Sequence, residues 1–497
     1  TRASLATPVT CGTFASQTTM DPWSAADPDN PTAAEQVHSP DSFAISSGPN
    51  GGPCAATKEA RPFGLGLSAG TRSPLAGATS PFSFRITRPD GNQEIASLDI
   101  SPPPGFTAYL KGVPYCSEAQ IATAARIKGR AEQASPSCPQ ASEIGSTSVG
   151  AGPGTNPLYT PGKLYLSGPY KGAPLSVVAI TPAVAGPFDL GNVVVRSALI
   201  VDPVTARITA KTDPIPQILE GVPLGIRDLR IDLDRPGWAL NPTNCNPMSV
   251  DVSAAGASGA TARSSDRFQL DGCAALPFKP RFDFRLHGSS KRGGHPRLSA
   301  TMTAKPGQAN IGRVAVTLPS SEFLEQAHIQ TICTRVQFAA EQCPAGSVYG
   351  KAEAITPLLD GALKGSVYLR ASSNPLPDLV AALRGPDAQP IEIELVGRID
   401  TKNGGIRNTF DVVPDAPVSK FVLTMQGGRK GLLVNSRNLC VRPSYAQVRL
   451  TGQNGKRMTQ RAQMKNDCGK KGSKGKKGKR RSAASRRHLV VGLPGVR

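Results

Sequence analysis

The cysteines at 116, 138, 245 and 273 recur as 333, 343, 440 and 468, and in both sets the third and fourth are 28 positions apart. A shared spacing in two divergent stretches fixes a shared geometry, so the chain must fold as related units. The second cysteine of each set opens an octet, "CPQASEIG" from Cys138 and "CPAGSVYG" from Cys343, in which Pro, Ser and Gly keep their places.

Other landmarks keep this register. Ile95, Leu98 and Ile100 of "IASLDISPPPGF" face Ile311, Val314 and Val316 of "IGRVAVTLPSSEF", and "GKLYLSGPYKGAPLSVVAI" faces "GSVYLRASSNPLPDLVAAL", two apolar runs joined by a turn. "GWALNPTNC" matches "GLLVNSRNLC". The similarity of "CAATKEARPF" after Cys54 to "CAALPFKPRF" after Cys273 makes Cys11 and Cys54 the third and fourth cysteines of an earlier copy. The units expected are therefore 1–54, the end of one copy; 55–273 and 274–468, each complete with a leading β-sandwich and a larger cysteine-bearing β-domain; and a tail, 469–497.

The ten cysteines include no C-x-x-C and no close Cys/His cluster, so disulfides are expected rather than a metal site. The spacing points to Cys116–Cys138 and Cys333–Cys343 clamping a short helix, and to Cys245–Cys273, Cys440–Cys468 and Cys11–Cys54 closing hairpins; other connectivities fit the sequence too. Disulfides imply an oxidising, extracytoplasmic home. The first residue is Thr1, with no charged-then-apolar leader, so a signal peptide is expected to lie upstream or to have been removed already. No apolar run reaches about 20 residues, and no transmembrane span is expected.

With 51 Gly and 46 Pro, the chain is punctuated too often for long helices. Asn454-Gly455 between alternating stretches signals a hairpin. Helix is expected only in "CSEAQIATAARIKGRAEQA" and "SEFLEQAHIQTICTRVQFAAEQC", where Phe323, His328, Ile332, Val336 and Ala340 follow roughly helical spacing. The net charge of +21 is concentrated in residues 469–497, which hold eleven Lys and Arg and no acid. Such a Gly- and Ser-rich basic run is expected to be disordered and to bind polyanions without reading bases, so specific nucleic-acid recognition is not expected.

The runs "GPFDLGNVVVRSALIVDP", "TDPIPQILEGVPLGIRDLRIDLDRPGWALNPTNC", "CPAGSVYGKAEAITPLLDGALKGSVYLR" and "FDVVPDAPVSKFVLTMQGGRKGLLVNSRNLC" resemble large, uncharacterised, secreted repeat proteins of soil actinobacteria. The resemblance covers most of residues 1–468 and implies a secreted, many-module protein of Ig-like character, with this chain similar to the C-terminal part. It carries no catalytic residue. The fold expected is thus all-β: tandem Ig-like β-sandwich modules with short helices and a disordered basic C-terminal tail.

Candidate sites weaken when set against that register. "GLSAG" fits a nucleophile elbow at Ser68, but no helix follows it. His38, His287, His295, His328 and His488 do not recur between units and show no ligand spacing. Asp228, Asp232 and Asp234 alternate on one strand with arginines between them, as on a solvated strand. Trp238 aligns with Leu432, which marks a core residue rather than a sugar platform. Asp213 and Asp415 recur beside prolines, as turn-makers do. The reading is a non-enzymatic, secreted or cell-surface structural or adhesive protein without cofactor or metal, contacting anionic cell-wall polymer or extracellular matrix through its basic tail. An array of carbohydrate-binding modules with polysaccharide as partner is the alternative, and a secreted hydrolase the third.

Overall fold

In the computed structural model, residues 7–27, 29–48, 51–154, 156–402 and 404–468 are described. The expected basic tail, with His488, lies outside them. Eleven long strands between Gly66 and Phe268 form one sheet, and eleven more between Arg281 and Asn466 form a closed barrel. Numbered along the chain within each set, both sheets run in the order 1-2-9-4-5-6-7-8-3-10-11. Ahead of them, Gly12–Met20 and Val37–Ile45 make an exposed hairpin, in which Phe14 and Phe43 stack at 5.8 Å.

Adjacent strands are antiparallel except where the second barrel closes. There Arg281–His287 pairs in parallel with Arg457–Asn466, Phe284 opposite Met464. The corresponding seam of the first sheet lies between Gly66–Thr71 and Thr261–Phe268. It is held by the Ala69 N–H donating to Asp266 Oδ2 at 2.7 Å and by a parallel bridge from Leu75 to Asp271.

Both walls are made by strict alternation. In Phe82–Thr87, Phe82, Phe84 and Ile86 point inward and Ser83 and Arg85 outward; in Tyr445–Gly452, Ala446, Val448 and Leu450 are buried while Gln447 and Arg449 are exposed. This apolar-in, polar-out pattern inverts that of a barrel lying in lipid. Among the described residues no helix is long and apolar enough to cross a membrane. All-β character with short helices is what the structure has, but the expected leading sandwiches are not separate bodies. Ile95–Ser101 pairs with Ile208–Thr212 and Met248–Gly256, and Ile311–Thr317 with Gly405–Phe410 and Tyr445–Gly452, so each leading segment is woven into the wall of its barrel. The two-faced burial of a sandwich is retained, while the sheet edges meet.

The octets prove to be a strand-entry device. Pro139 and Pro344 each precede a single 3₁₀ turn, Gln140–Ser142 and Ala345–Ser347, closed by the Ser hydroxyl donating to the Pro carbonyl at 2.7 Å in both. The glycines sit at β-bulges rather than in the turns. A Cβ on Gly145 would lie 2.0 Å from Asp232 O, and one on Gly350 2.5 Å from Thr424 O, so only glycine lets the strands approach.

The helices are shorter than expected. The α1 helix, Glu118–Ala124, and α3, Arg335–Ala339, start directly after Cys116 and Cys333, and each has a capping box, Ser117 with Gln120 and Thr334 with Gln337. Between them in the chain, α2 spans Gly129–Ala134. The stretch before Cys333 holds no α-helix: Glu322–Leu324 pairs with Leu433–Asn435, Gln326–His328 makes one 3₁₀ turn, and the cap at Thr334 begins the α-helix anew. Val336, one of the residues at helical spacing, is 79% exposed.

Candidate functional site

The ten cysteines form five disulfides: Cys11–Cys54, Cys116–Cys138, Cys245–Cys273, Cys333–Cys343 and Cys440–Cys468. Cys116 N–H bonds Leu166 O at 2.8 Å and Cys333 N–H bonds Leu369 O at 2.9 Å, so each helix-clamping pair is pinned to the second strand after its octet, Leu158–Ser167 and Leu363–Arg370. These bonds shape the scaffold and leave no thiol free.

The barrels meet end to end. Leu110 and Lys111 donate backbone N–H bonds to Leu358 O at 2.9 and 3.0 Å, Glu394 N–H reaches Pro203 O at 2.7 Å, and Tyr115 OH reaches Ala388 O at 2.6 Å. At the centre of the waist, Asp415 accepts the Thr243 N–H (2.8 Å), the Thr243 hydroxyl (2.6 Å) and the Asn310 side-chain amide (2.8 Å).

Inside, the walls do not meet. A cavity of about 810 Å³ runs between them, lined from both barrels and through the waist. Its walls are Val149, Val177, Ala179, Val195 and Leu229 of the first barrel and Val316, Leu395, Phe421 and Leu423 of the second. These inward residues remain only partly buried, as side chains facing a hollow must. At the far mouth of the first barrel, Leu158 and Val222 both line the cavity and are exposed, beside the exposed Ile218. Polar groups on the lining are few. Thr147 and Thr181 share a hydrogen bond at 3.2 Å, whereas the Thr107 hydroxyl and the Trp238 indole N–H, closed off from the hollow, have no partner among the described residues. Among the described residues, Lys305 is the one charged residue on the wall.

The residues weighed in the sequence fall elsewhere. Ser68 is exposed in mid-strand opposite Arg85, not on a strand-to-helix turn. Asp228 lies on the outer face, where burial opposes its charge but hydrogen bonds from Arg85, Tyr159 and Arg230 outweigh that and hold its carboxyl well below the usual range. Asp232 accepts from Ser83 on the same face. Asp213 is tied to Tyr170 OH at 2.7 Å and to Lys171, while Asp415 is buried at the waist, so the two similar motifs have different surroundings. His38 contacts Thr19, and His287 contacts Asp467.

Two histidines far apart in sequence do come together. The His295 and His328 rings lie 4.5 Å apart; His295 Nε2 meets Glu325 Oε2 at 3.2 Å and His328 Nδ1 meets Gly431 O at 2.8 Å. Among the described residues no group of three or more metal-type side chains is assembled. Near them Glu322 is fully buried; burial pushes its carboxyl up to about 7 against a hydrogen bond from Ser321. Trp238 is buried, as its alignment with Leu432 implies, but it also forms part of the cavity wall. Sequence reasoning missed the cavity, because inward Val, Ala and Leu read alike whether their barrel is filled or hollow.

No family model matches the chain, and no curated protein matches it. Among solved structures it is similar to one described as "Putative membrane anchored protein from Corynebacterium diphtheriae", at 10% identity over 91% of this chain and 97% of that one, with a TM-score of 0.17, a likeness too slight to bear on fold or function.

Proposed function

We propose that this chain is a non-catalytic extracellular container for a long, apolar, lipid-like molecule, held inside its tandem barrels. The observation that carries this reading is the continuous apolar cavity of about 810 Å³. Side chains that face an empty hollow lose the packing contacts they would otherwise make, so an empty space of that size is costly. Water cannot fill the space well, since it needs two to four polar partners and the walls offer few. An apolar guest removes the cost, and the volume falls within the roughly 300–1,000 Å³ usual for ligand sites. Five disulfides suit an oxidising compartment, which supports a secreted or surface location.

The test is native mass spectrometry of disulfide-intact protein, followed by solvent extraction. Co-purifying aliphatic molecules near one per chain support the reading. A protein that stays empty and takes up neither a fluorescent fatty acid nor its ester refutes it.

A structural or adhesive role is the second reading, favoured by the shared strand order of the two sheets, which is that of a duplicated unit, and by the disulfides at corresponding places in each. In that reading the basic tail contacts anionic wall polymer or matrix, and its removal abolishes salt-sensitive binding to teichoic-acid-type polymer.

A further inference from the structure

The first barrel has one pole that the second barrel covers and one at the far mouth of the cavity. The strands Glu143–Ala151, Leu158–Ser167, Leu175–Ala185 and Phe188–Val201 run between them, so the turns from Ala151 to Leu158 and from Ala185 to Phe188 both lie at the far mouth. There Gly152 N–H bonds Gly225 O at 3.1 Å and Leu224 N–H bonds Gln217 O at 2.9 Å, which sets a small hairpin, Ile218–Leu219 with Val222–Pro223, beside the first of these turns. The hairpin belongs to the connection 213–225 between Ile208–Thr212 and Ile226–Leu233. The matching connection of the second barrel, 411–419, is shorter, holds no strand pair and lies at the waist with Asp415.

The added hairpin faces both the hollow and the solvent. Val222 and Pro223 line the cavity, as does Leu158 on the neighbouring turn, while Ile218 is 61% exposed and Phe188 68%. Ile218–Leu219 also lies against the strand that Phe188 begins. Apolar side chains that pass from a cavity wall to its outer rim mark a surface that something else covers. Cations stand beside them. Asp189 accepts Gly129 N–H at 2.7 Å and Arg130 N–H at 2.9 Å, which fixes the start of α2 at this pole, and the Arg130 guanidinium reaches Gly186 O at 2.5 Å on the turn that carries Phe188. Lys128 and Arg130 are both exposed, with Glu220 on the hairpin's turn as an opposing carboxylate.

We propose that this mouth docks on a bilayer surface bearing anionic head groups, and that the apolar guest passes there between the lipid layer and the hollow. This rests on the container reading and adds its route of loading. Such a surface takes the apolar tips between its head groups and attracts the two cations. A further barrel stacked on this pole would cover the same tips but would find no carboxylate clip. Ile215 N–H bonds Ala96 O as Val413 N–H bonds Gly312 O, which puts Gln217 where the second barrel has Asp415, and its amide is already spent on Ile95 O and Ile215 O, both at 2.8 Å.

The experiment uses the full disulfide-intact chain and a fluorescent fatty acid carried in vesicles of phosphatidylcholine, alone or mixed equally with phosphatidylglycerol. The chain is expected to float with the mixed vesicles and to take up the probe at a rate proportional to protein concentration, as contact requires. Transfer through water is limited by desorption from the vesicle and ignores protein concentration. Phe188→Ser combined with Ile218→Ser should lower the contact rate about tenfold, and Lys128→Glu about fivefold for the mixed vesicles alone. Both variants change exposed side chains outside the cavity wall, and both should leave uptake of the probe from dilute, vesicle-free solution unchanged. Uptake from solution by a chain that neither floats nor transfers by contact overturns the docking surface and leaves the container standing. Self-association that the double variant abolishes, without vesicle binding, gives the rim to a second copy and overturns it too. Uptake by neither route overturns both.

Discussion

Thr243 donates its amide N–H to one carboxylate oxygen of Asp415 and its hydroxyl to the other, at 2.8 and 2.6 Å, and so clips the end of one barrel to the mouth of the next. Burial pushes the Asp415 carboxyl upward, and these donors together with Asn310 work against that. The carboxylate is tolerable at the waist only while its partners are present. Gly105, at φ +81°, lies against the same side chain, with no room for a Cβ, which would come 2.8 Å from Asp415 Cβ.

Replacing Thr243 by Val removes one of these donors and leaves Asn310 N–H without its acceptor. The expected cost is about 2–3 kcal/mol. Urea unfolding should show it, together with a separation of one transition into two as the barrels lose their common clip. An unchanged single transition would mean that apolar contact alone joins them.

Stability should depend on pH through Glu322. Its folded carboxyl is raised from 4.5 to about 7, so between those values the folded chain binds more protons than the unfolded one. The stability this group contributes is fully present below about pH 4.5 and is lost as pH rises to about 7, by about 3 kcal/mol at 1.36 kcal/mol per unit. In Glu322→Gln that part of the decline should vanish in melting curves taken from pH 4.5 to 8, leaving the variant more stable than the native chain at pH 8.

A large side chain in the cavity should displace the guest without unfolding the barrel. Ala179 points into the hollow from the middle of the strand Leu175–Ala185. Ala179→Trp is expected to lower fatty-acid affinity at least tenfold while keeping or raising the melting temperature. In a packed core the same change should cost about 1–3 kcal/mol, so a lowered melting temperature with unchanged binding contradicts a hollow interior.

The octets should be sensitive at their glycines first. Gly145→Ala and Gly350→Ala each force a methyl group onto a neighbouring strand's carbonyl and should destabilise by about 3 kcal/mol or more. Ser142→Ala and Ser347→Ala remove one local hydrogen bond each, at about 1 kcal/mol. Chemical denaturation of the four variants gives the ranking directly.

The 28-residue cysteine spacings carried the hairpin disulfides, because a hairpin's length sets the separation of its ends. Alternation on either side of Asn454-Gly455 carried that hairpin's strands. Neither tells whether a sheet's edges meet, since a strand pairs by its backbone while the sequence lists side chains. The helical spacing from Phe323 to Ala340 was overridden by the pairing of Phe323 with Val434. At the waist, Trp238 read as core because Leu432 replaces it, and that comparison says nothing of an indole N–H left unpaired. Lys305 gave no signal at all, being one lysine in a Pro-Gly turn until the fold places it on a wall.

Eleven is an odd number. A meander of antiparallel strands that closes on itself with an even count returns its chain to the pole from which it started. With an odd count the first and last strands run the same way, as the parallel seam of Phe284 with Met464 records. The polypeptide then enters each barrel at one pole and leaves at the other, and the next barrel can follow along the same axis without a long return. Strand parity gives the molecule a direction, and a chain of such barrels can lengthen by simple addition while its interior stays in line.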